Sequence, residues 1–339
     1  MSGADRYRAA GVDLDAADAA KKRIAEAVAG AQTELSRGRI GAFGGMLRLP
    51  LVTDGALVMS TDGVGTKVLV AIEAQRHDTV GEDLVNHCVN DILVHGATPL
   101  AFLDYLAVAD VSTDTIAALV EGVARGCRAH DMALVGGETA QLPEMYQPGH
   151  YDLAGTIVGI VSEKEALHGD RVEVGDVLVG FASTGLHTNG YTLARQIIFR
   201  DLALDVGSHV DELGTTVGDA LLQVHRSYFT CVRSMLPSIH ALAHITGGGI
   251  EGNLTRSMPD GCAGRIDKSA WDVPPLFQFL QLGGQVDEAE MFSVFNMGIG
   301  MIAVVPPIAV DGLREVANAH GVPTWVIGEV VRGEGVTYG

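Results

Sequence analysis

Cysteine is scarce in this sequence. The four cysteines, Cys88, Cys127, Cys231 and Cys262, lie far apart and form no CxxC pair. Zinc knuckles and disulfide frameworks both depend on regularly spaced cysteines, so neither is indicated. We expect four reduced thiols that are buried as small apolar groups.

Positive charge is also scarce. The 339 residues include 23 Lys and Arg against 42 Asp and Glu, a formal net charge of −19, and no Lys/Arg-rich run occurs. Binding to nucleic acids or to anionic membranes requires clustered positive charge. We therefore expect neither a nucleic-acid nor a membrane partner, whereas a small anionic substrate stays open if a metal ion mediates its binding.

Long apolar runs and several well-known catalytic motifs are missing. No apolar stretch reaches the roughly 18 residues of a membrane span, which predicts a cytoplasmic protein. The absence of GxxxxGK[ST], HExxH and GxSxG weighs against P-loop NTPases, zinc proteases and α/β-hydrolases. The segment GGGIEG formally fits GxGxxG, but it lies too late in the chain to open a dinucleotide-binding unit. We interpret Gly247, Gly248 and Gly249 as a tight turn near phosphate or substrate.

Strand-like and helix-like segments alternate in both halves of the chain, whose length suits two domains. The polar segment Ser162–Asp176 is the predicted boundary and gives domains 1–168 and 169–339. Apolar runs bordered by Gly or Pro predict eight strands: Ala56–Ser60, Leu100–Val108, Met132–Gly136, Leu153–Val161, Val177–Ser183, His240–Thr246, Met297–Val305 and Trp325–Val331. Apolar spacing predicts six helices: Val80–His95, Thr113–His130 (capped by Ser112 or Thr113), Tyr191–Asp201, Val217–Met235, Pro275–Leu282 and Val310–His320.

Two acidic, glycine-bordered segments carry the strongest chemical signal. They are STDGVGTK, from Ser60 to Lys67, and NDILVHGATP, from Asn90 to Pro99. Magnesium prefers oxygen ligands and is usually held by one or two carboxylates plus substrate phosphates. Glycine permits close backbone approach and lysine supplies the opposing charge, so these segments indicate a metal-bridged phosphate site.

The polar side of the predicted helix Val80–His95 allows two interpretations. Asp83, Asn86, His87, Asn90 and Asp91 collect opposite its apolar face. They form either a solvated helix surface or a surface that binds a ligand. The absence of Lys and Arg from this side favours the second interpretation.

Two further segments place polar groups directly after apolar strands. In GGETAQLPEMY, Glu138 follows a glycine pair at a predicted strand end, where open α/β sheets place ligand groups, although a solvated turn also fits. In FASTGLHTNGY, hydroxyl and amide groups precede a helix, and His187 could donate a hydrogen bond or move a proton. A structural histidine is the alternative there.

Together these motifs resemble the phosphoribosylformylglycinamidine cyclo-ligase family, the aminoimidazole ribonucleotide synthetases. The resemblance runs from YRAAGVDLDA through GAFGG, STDGVGTK, YDLAGTIVG and AHITGGGIEGN to WVIGEV. Asp91 to Pro99 fits the D-x4-GAxP signature of a wider ATP-using superfamily that also contains thiamine-monophosphate kinase and selenophosphate synthetase. HDTVGEDLV, GGETA with its PEMY tail, and HTNGY narrow the resemblance to the cyclo-ligases.

The resemblance implies a reaction and a set of site residues. ATP would phosphorylate the formyl amide oxygen of formylglycinamidine ribonucleotide, after which a nitrogen closes the imidazole ring. Lys67, Asp91 and His187 would be catalytic, and Mg²⁺ would be held by Asp62, Asp91 and Glu138. The implied ATP-binding residues are Gly44, Gly45, Asp62, Gly63, Gly65, Thr66, Lys67, Asn90, Asp91 and Glu138. The implied substrate-binding residues are Ser183, His187, Thr188, Asn189, Gly247, Gly248 and Gly249.

By the same resemblance the fold is α+β, with two α/β domains. The amino-terminal domain would form a β-barrel-like interface across a homodimer, and the carboxy-terminal domain would be an α/β sandwich. Two rival functions stay open: a small-molecule kinase of the same superfamily, and a non-catalytic nucleotide-binding paralogue. Retention of Asp62, Lys67, Asp91, Glu138 and His187 weighs against the second rival.

Overall fold

A computed structural model describes residues 23–37, 46–47 and 54–339, and two larger β-sheets organise it. The strands are β1 (Ser36–Arg37), β2 (Met46–Leu47), β3 (Gly55–Gly63), β4 (Thr98–Val108), β5 (Ala133–Gln141), β6 (Tyr151–Ser162), β7 (Val177–Ala182), β8 (His209–Val210), β9 (Thr215–Thr216), β10 (Ala241–His244), β11 (Cys262–Ile266), β12 (Ile299–Val305), β13 (Thr324–Arg332) and β14 (Val336–Tyr338).

The helices connect these strands. They are α1 (residues 23–30), α2 (Lys67–Glu73), α3 (Val80–Leu93), α4 (Thr113–Ala129), α5 (Tyr191–Arg195), α6 (Val217–Leu221), α7 (Phe229–Val232), α8 (Gly249–Leu254), α9 (Pro275–Gly284), α10 (Glu288–Val294) and α11 (Val310–Ala319). A π-helical segment (Gln196–Asp201) and 3₁₀ segments (Arg233–Ser238, Thr255–Ser257, Pro307–Ala309) complete the set. Within the described residues, no helix combines the length and apolarity needed to cross a bilayer.

The first sheet has the strand order β3-β6-β4-β5 and belongs to the amino-terminal half. Its pairs are antiparallel except β4 with β5. Helix α3 packs on one face through apolar side chains such as Leu84 and Ile92, which are fully buried. Gly159 permits this close approach, because a Cβ there would lie 2.6 Å from Ile92 Cδ1. The sheet therefore holds α3 at a fixed position beside β3.

The second sheet has the order β10-β12-β7-β13-β11-β14 and belongs to the carboxy-terminal half. All its pairs are antiparallel except β11 with β14. Every residue of β12 is buried, as expected for a strand covered on both faces. The predicted α+β fold with two domains is confirmed, while the boundary at residues 168 and 169 stays a prediction.

All eight predicted strands are present, with ends shifted by a few residues. Ser112 caps α4 as predicted, since its side chain accepts from the Thr115 backbone N–H. The predicted helix Val217–Met235 is wrong, because the chain leaves the helical path between α6 and α7. The prediction had no helix at α2, and β5 continues through Glu138 instead of ending before it.

Residues 222–228, the linker between α6 and α7, join the two halves of the molecule. Their backbone groups bond to polar side chains of α3: Asn86 Nδ2 donates to the His225 carbonyl at 2.7 Å, and Asn90 Nδ2 donates to the Arg226 carbonyl at 2.8 Å. The Tyr228 N–H donates to Asn90 Oδ1 at 2.9 Å. Because these contacts need free backbone groups, a continuous helix through this linker is excluded.

Candidate active site between the two sheets

A cavity of about 450 Å³ opens where α3 and β3 face β10 and the segment after it. Its wall combines residues from both halves of the chain. The polar side chains that matter below are Asp62, His87, Asp91, His95, His168, His244 and Arg256. The two acidic segments singled out in the sequence therefore meet at one cavity, which also has basic groups.

Asp62 and Asp91 lie on the cavity wall with an imidazole between them. His87 Nε2 is 2.8 Å from Asp62 Oδ2 and 3.6 Å from Asp91 Oδ2. His244 Nδ1, from the end of β10, is 2.9 Å from Asp91 Oδ1. Ser60 Oγ donates to Asp91 Oδ2 at 3.1 Å. The structure thus brings together two of the three predicted metal ligands with two histidines: His87, from the polar helix side that was interpreted as binding a ligand, and His244, which had no predicted role.

The imidazoles keep both carboxylates ionised. Burial opposes the charge on Asp62, but the hydrogen bond and charge of His87 outweigh it and lower the pKa of this carboxyl. Burial likewise opposes the charge on Asp91, but the hydrogen bond and charge of His244, the charge of His87 and the Ser60 hydrogen bond together outweigh it, so this pKa is also lowered. In return, Asp62 and Asp91 raise the pKa of His87 against the effect of its own burial. Burial dominates at His244, whose pKa is lowered.

A second layer of hydrogen bonds orients these histidines. His87 Nδ1 is 2.7 Å from Thr188 Oγ1, which is 3.3 Å from His225 Nδ1. His225 Nε2 lies 3.1 Å from His244 Nε2. His187 stacks on His225 with ring centroids 4.0 Å apart. Thr188 is therefore placed behind the cavity wall, where it orients His87.

Backbone groups fix the protonation of this second layer. The Tyr228 N–H occupies Asn90 Oδ1, so Asn90 Nδ2 is the donor to His225 Nε2 at 3.1 Å. His225 Nε2 therefore accepts from Asn90, and His244 Nε2 lies 3.1 Å from the same atom. Burial lowers the pKa of His225 well below its ordinary value, which keeps this ring neutral.

The structure places Lys67 away from the cavity wall. Its side chain is fully buried, and Nζ lies 2.8 Å from the Asp83 carboxylate and 2.7 Å from the Gln223 carbonyl oxygen. Burial lowers the pKa of Lys67 and raises that of Asp83, while the attraction between the pair opposes both effects. The observed contacts give Lys67 a role in joining the two halves, and its predicted phosphate contact stays a prediction.

Glu138 is separated from Asp62 by the whole width of the first sheet. Asp62 is in register with Gly155, Gly155 with Asp104, and Asp104 with Gly137. Three strand spacings amount to about 14 Å, and Glu138, one residue further on, points to the opposite face. The predicted shared ion is therefore corrected: Asp62 and Glu138 of one chain do not converge on one metal.

His187 lies behind the cavity wall. It is almost fully buried, its Nε2 accepts from the Thr184 N–H at 3.2 Å, and its Nδ1 has no hydrogen-bond partner. Burial lowers its pKa well below the ordinary value. Ser183 Oγ donates to Asn296 Oδ1 at 3.1 Å. These observations place a neutral His187 behind the cavity, so its predicted proton transfer to substrate stays a prediction.

The triple glycine forms the turn from β10 into α8, beside the cavity residues Thr246 and Asn253. Gly248 and Gly249 have φ angles of 93° and 61°, which favour glycine. Asn253 Nδ2 secures the turn by donating to the Gly249 carbonyl at 2.8 Å. The predicted tight turn is present.

The remaining predicted ATP-binding residues fall into three groups. Gly63, Gly65 and Thr66 continue from Asp62 into the start of α2, while Asn90 is buried between the halves. Gly44 and Gly45 lie outside the described residues. Of the cavity residues, His244 and Arg256 were missed by the sequence interpretation. The only sequence signal for His244 is its position just before a glycine-rich turn.

Magnesium fits part of the predicted ligand set. The Oδ2 atoms of Asp62 and Asp91 both approach His87 Nε2, so two carboxylates lie close together on the cavity wall. One or two carboxylates plus phosphate oxygens are the usual Mg²⁺ ligands in nucleotide sites. Asp62 and Asp91 can therefore hold a magnesium–nucleotide complex without Glu138.

Comparison with known proteins gives concordant matches over nearly the whole chain. Residues 41–161 match the family model "AIR synthase related protein, N-terminal domain", and residues 173–339 match its C-terminal counterpart. The phosphoribosylformylglycinamidine cyclo-ligase of Desulfatibacillum aliphaticivorans is 47% identical over 97% of this chain and 96% of its own length. That of Sorangium cellulosum (strain So ce56) is 46% identical over 96% and 95%.

Among solved structures, the thiamine-monophosphate kinase of Stenotrophomonas maltophilia K279a is similar in fold, with a TM-score of 0.69, 18% identity and coverage of 94% of this chain and 95% of its own. At this identity the likeness concerns the fold alone.

Proposed function

The chain belongs to the phosphoribosylformylglycinamidine cyclo-ligase family, and from this membership we propose that it uses ATP to close an imidazole ring in purine biosynthesis. The substrate is formylglycinamidine ribonucleotide, and the products are aminoimidazole ribonucleotide, ADP and phosphate. ATP phosphorylates the formyl amide oxygen and thereby makes it a good leaving group. Attack by the substrate nitrogen then forms the ring C–N bond and releases phosphate.

The observation that carries this proposal is the cavity between the two sheets. It combines the ionised carboxylates of Asp62 and Asp91 with a second group of basic residues, His95, His168 and Arg256. Burial lowers the pKa of His95, and the nearby charges of His168 and Arg256 lower it further. The substrate has a phosphate dianion and an amidine that is positive when protonated. The basic residues can therefore bind the phosphate and the carboxylates can bind the amidine.

Phosphoryl transfer depends mainly on positioning and on neutralising charge, and the carboxylates suit that task. We assign Asp62 and Asp91 to the Mg²⁺ that accompanies ATP, with Gly63, Gly65 and Thr66 near its phosphates. Magnesium supplies charge neutralisation on the phosphate oxygens when bound. A hydrogenase maturation protein HypE of similar fold (TM-score 0.63, 18% identity, 90% of this chain and 84% of its own) was solved with ATP, which supports a nucleotide site in this fold.

We further propose a cytoplasmic homodimer formed by the free face of the first sheet. This face exposes large apolar side chains: Leu57, Met59, Leu103 and Tyr105. Within the described residues, β3 is an edge strand of nine residues, and long apolar edges favour pairing with another chain. Glu138 lies on the same side as Tyr105, so a dimer would place it at the interface.

Incubation of the purified protein with ATP, Mg²⁺ and formylglycinamidine ribonucleotide tests the proposed reaction. We expect aminoimidazole ribonucleotide and ADP in equal amounts. ADP formed only with thiamine monophosphate or selenide would instead support a small-molecule kinase. ATP binding without turnover of any of these substrates would support a non-catalytic paralogue.

A further inference from the structure

His225 lies behind the cavity wall and contacts two separate groups of residues that lead to the cavity carboxylates. We propose that the His225 side chain is a positioning residue, which holds Asp62 and Asp91 in the geometry that binds Mg²⁺ together with the nucleotide. The inference rests on the function proposed above, in which these two carboxylates bind that ion. It adds a role for the side chain of a linker residue that is not part of the cavity wall.

The backbone of His225 is fixed by two side chains of α3. Its N–H donates to Asp83 Oδ1 at 2.7 Å, and its carbonyl accepts from Asn86 Nδ2 at 2.7 Å. Asp83 is itself held by the buried ammonium group of Lys67. These bonds involve main-chain atoms of residue 225 and do not depend on its side chain. A substitution of His225 should therefore leave the two halves of the molecule joined.

The ring of His225 is fully buried and has partners of its own. Its Nε2 accepts from Asn90 Nδ2 at 3.1 Å, and the ring stacks on His187 with centroids 4.0 Å apart. Burial lowers the pKa of His225 well below its ordinary value, so the ring is neutral and its one hydrogen is on Nδ1. Nδ1 then donates to Thr188 Oγ1 at 3.3 Å. The orientation of the ring and the position of its hydrogen are both fixed by these contacts.

The first series of contacts runs from this ring to Asp62. Thr188 Oγ1, which accepts from His225, lies 2.7 Å from His87 Nδ1. The opposite nitrogen of His87, Nε2, lies 2.8 Å from Asp62 Oδ2. A shift of the His225 ring would therefore move Thr188 and change the angle at which His87 meets this carboxylate.

The second series of contacts runs from the same ring to Asp91. His225 Nε2 lies 3.1 Å from His244 Nε2, and the two rings meet edge to face with centroids 5.2 Å apart. The other nitrogen of His244, Nδ1, lies 2.9 Å from Asp91 Oδ1. One side chain thus acts on both carboxylates. Loss of a residue that orients metal-binding groups typically costs about 10–100-fold in metal affinity or activity.

Two substitutions separate the nitrogens of the ring from its bulk. His225→Phe keeps the size of the ring and its stacking on His187 but removes both nitrogens. His225→Asn is smaller, but it keeps a donor close to the position of Nδ1. If the ring only filled space between the halves, His225→Phe would be the milder change. If its nitrogens position the carboxylates, His225→Asn should be the milder one.

Binding of adenylyl imidodiphosphate, an ATP analogue that is not hydrolysed, measures the effect without turnover. We expect His225→Phe to weaken the Mg²⁺-dependent part of this binding by about 10–100-fold and His225→Asn to weaken it less. His130→Gln is the matched control, because His130 is also buried and contacts the same interface through Asn86, and it should bind like the parent. Parent-like binding by His225→Phe, or tighter binding by His225→Phe than by His225→Asn, would overturn the proposal.

Thr188→Val tests the first series of contacts, because it removes the hydroxyl group between His225 and His87. Alone it should weaken Mg²⁺-dependent binding, and in combination with His225→Phe it should add little, since both changes interrupt the same contact. Fully additive effects would overturn the connection through Thr188. Urea denaturation identifies any His225 variant that fails to fold. In that case weakened binding by Thr188→Val supports the proposal, and parent-like binding overturns it.

These binding measurements are independent of the cyclisation assay. If His225→Phe binds weakly as expected but the parent forms no aminoimidazole ribonucleotide, the proposed function is contradicted and the positioning role stands. If the parent cyclises its substrate and His225→Phe binds Mg²⁺ and nucleotide like the parent, only the positioning role is contradicted.

Discussion

At the scale of single residues, the candidate site depends on imidazoles that hold two carboxylates in their ionised form. Asp62 and Asp91 are partly buried, which alone would raise their pKa values, yet each has an imidazole within 2.9 Å. Carboxylates that stay ionised near a bound nucleotide can recruit a cation instead of a proton. The histidines thus maintain the negative charge on which cation binding depends.

Asp91→Asn removes this charge while preserving the size of the side chain. We expect a folded protein whose cyclisation rate falls at least about a hundredfold, by analogy with the loss of one electrostatic group in other enzymes. A steady-state assay with ATP and formylglycinamidine ribonucleotide measures it. The fully exposed Asp211→Asn is the matched control and should retain the parent rate. Near-normal turnover of Asp91→Asn would remove Asp91 from the metal site.

His130 supplies a residue-scale prediction about pH. Burial lowers its pKa from 6.5 to about 4, and its Nε2 contacts Asn86 Oδ1 at 3.0 Å. The unfolded chain therefore protonates His130 more readily than the folded chain does. The contribution of neutral His130 to the free energy of unfolding is thus fully present above pH 6.5 and is lost as the pH falls towards 4. Between about pH 7 and pH 5 the parent should lose about 2 kcal/mol more unfolding free energy than His130→Gln.

Urea denaturation at several pH values checks the prediction for His130. The exposed His209→Gln serves as control and should follow the parent. Identical pH dependence in the parent and in His130→Gln would show that His130 is not the group responsible.

The sequence could predict the carboxylates of the site but not their basic partners. Asp62 and Asp91 stand in glycine-bordered segments whose chemistry is recognisable locally. His244 and Arg256 come from the other half of the chain, and the packing of the two halves against each other brings His244 to Asp91. His87 was visible on the polar side of its helix, but its contact with Asp62 depends on the position of β3.

At the scale of elements, regular segments were predictable and the linker between α6 and α7 was not. Alternating apolar residues predict a strand, because every second side chain of a strand faces the same, buried side of its sheet. Apolar spacing also favoured a helix over Val217–Met235, but tertiary contacts prevailed, since the buried side chains of Asn86 and Asn90 need the backbone groups of residues 225–228. The polar side of α3 is for that reason largely an interface between the halves.

Lys67 makes a charged contact with this linker, and its replacement tests the interface. Lys67→Met leaves the buried Asp83 without its partner and should lower the unfolding free energy by about 3–5 kcal/mol. Adding Asp83→Asn to this variant should recover part of the loss. The exposed Lys164→Met is the control and should stay within about 0.5 kcal/mol of the parent in urea denaturation. Parent-like stability of Lys67→Met combined with lost turnover would instead support the predicted phosphate contact.

At the scale of the whole molecule, the described residues cover the first sheet on only one side. Helix α3 packs on its inner face, whereas its outer face exposes Met59 at 65% and Leu57 at 51% of their full accessibility. An antiparallel sheet commonly has one buried and one exposed face, but its exposed face then carries polar residues. The proposed second copy of the chain would cover these apolar residues, in agreement with the barrel-like interface that the family resemblance implies.

Leu57→Glu tests this homodimer because it places a carboxylate in the middle of the proposed contact. Burying an unpaired charge costs several kcal/mol, so the variant should dissociate at concentrations where the parent stays dimeric. Sedimentation velocity should show the parent at the mass of two chains and the variant at the mass of one. Ile308→Glu is the matched control, since Ile308 is 94% exposed and lies outside the first sheet, and it should sediment like the parent. A parent that sediments as one chain at all concentrations, or a Leu57→Glu variant that stays dimeric, would contradict an interface on this face.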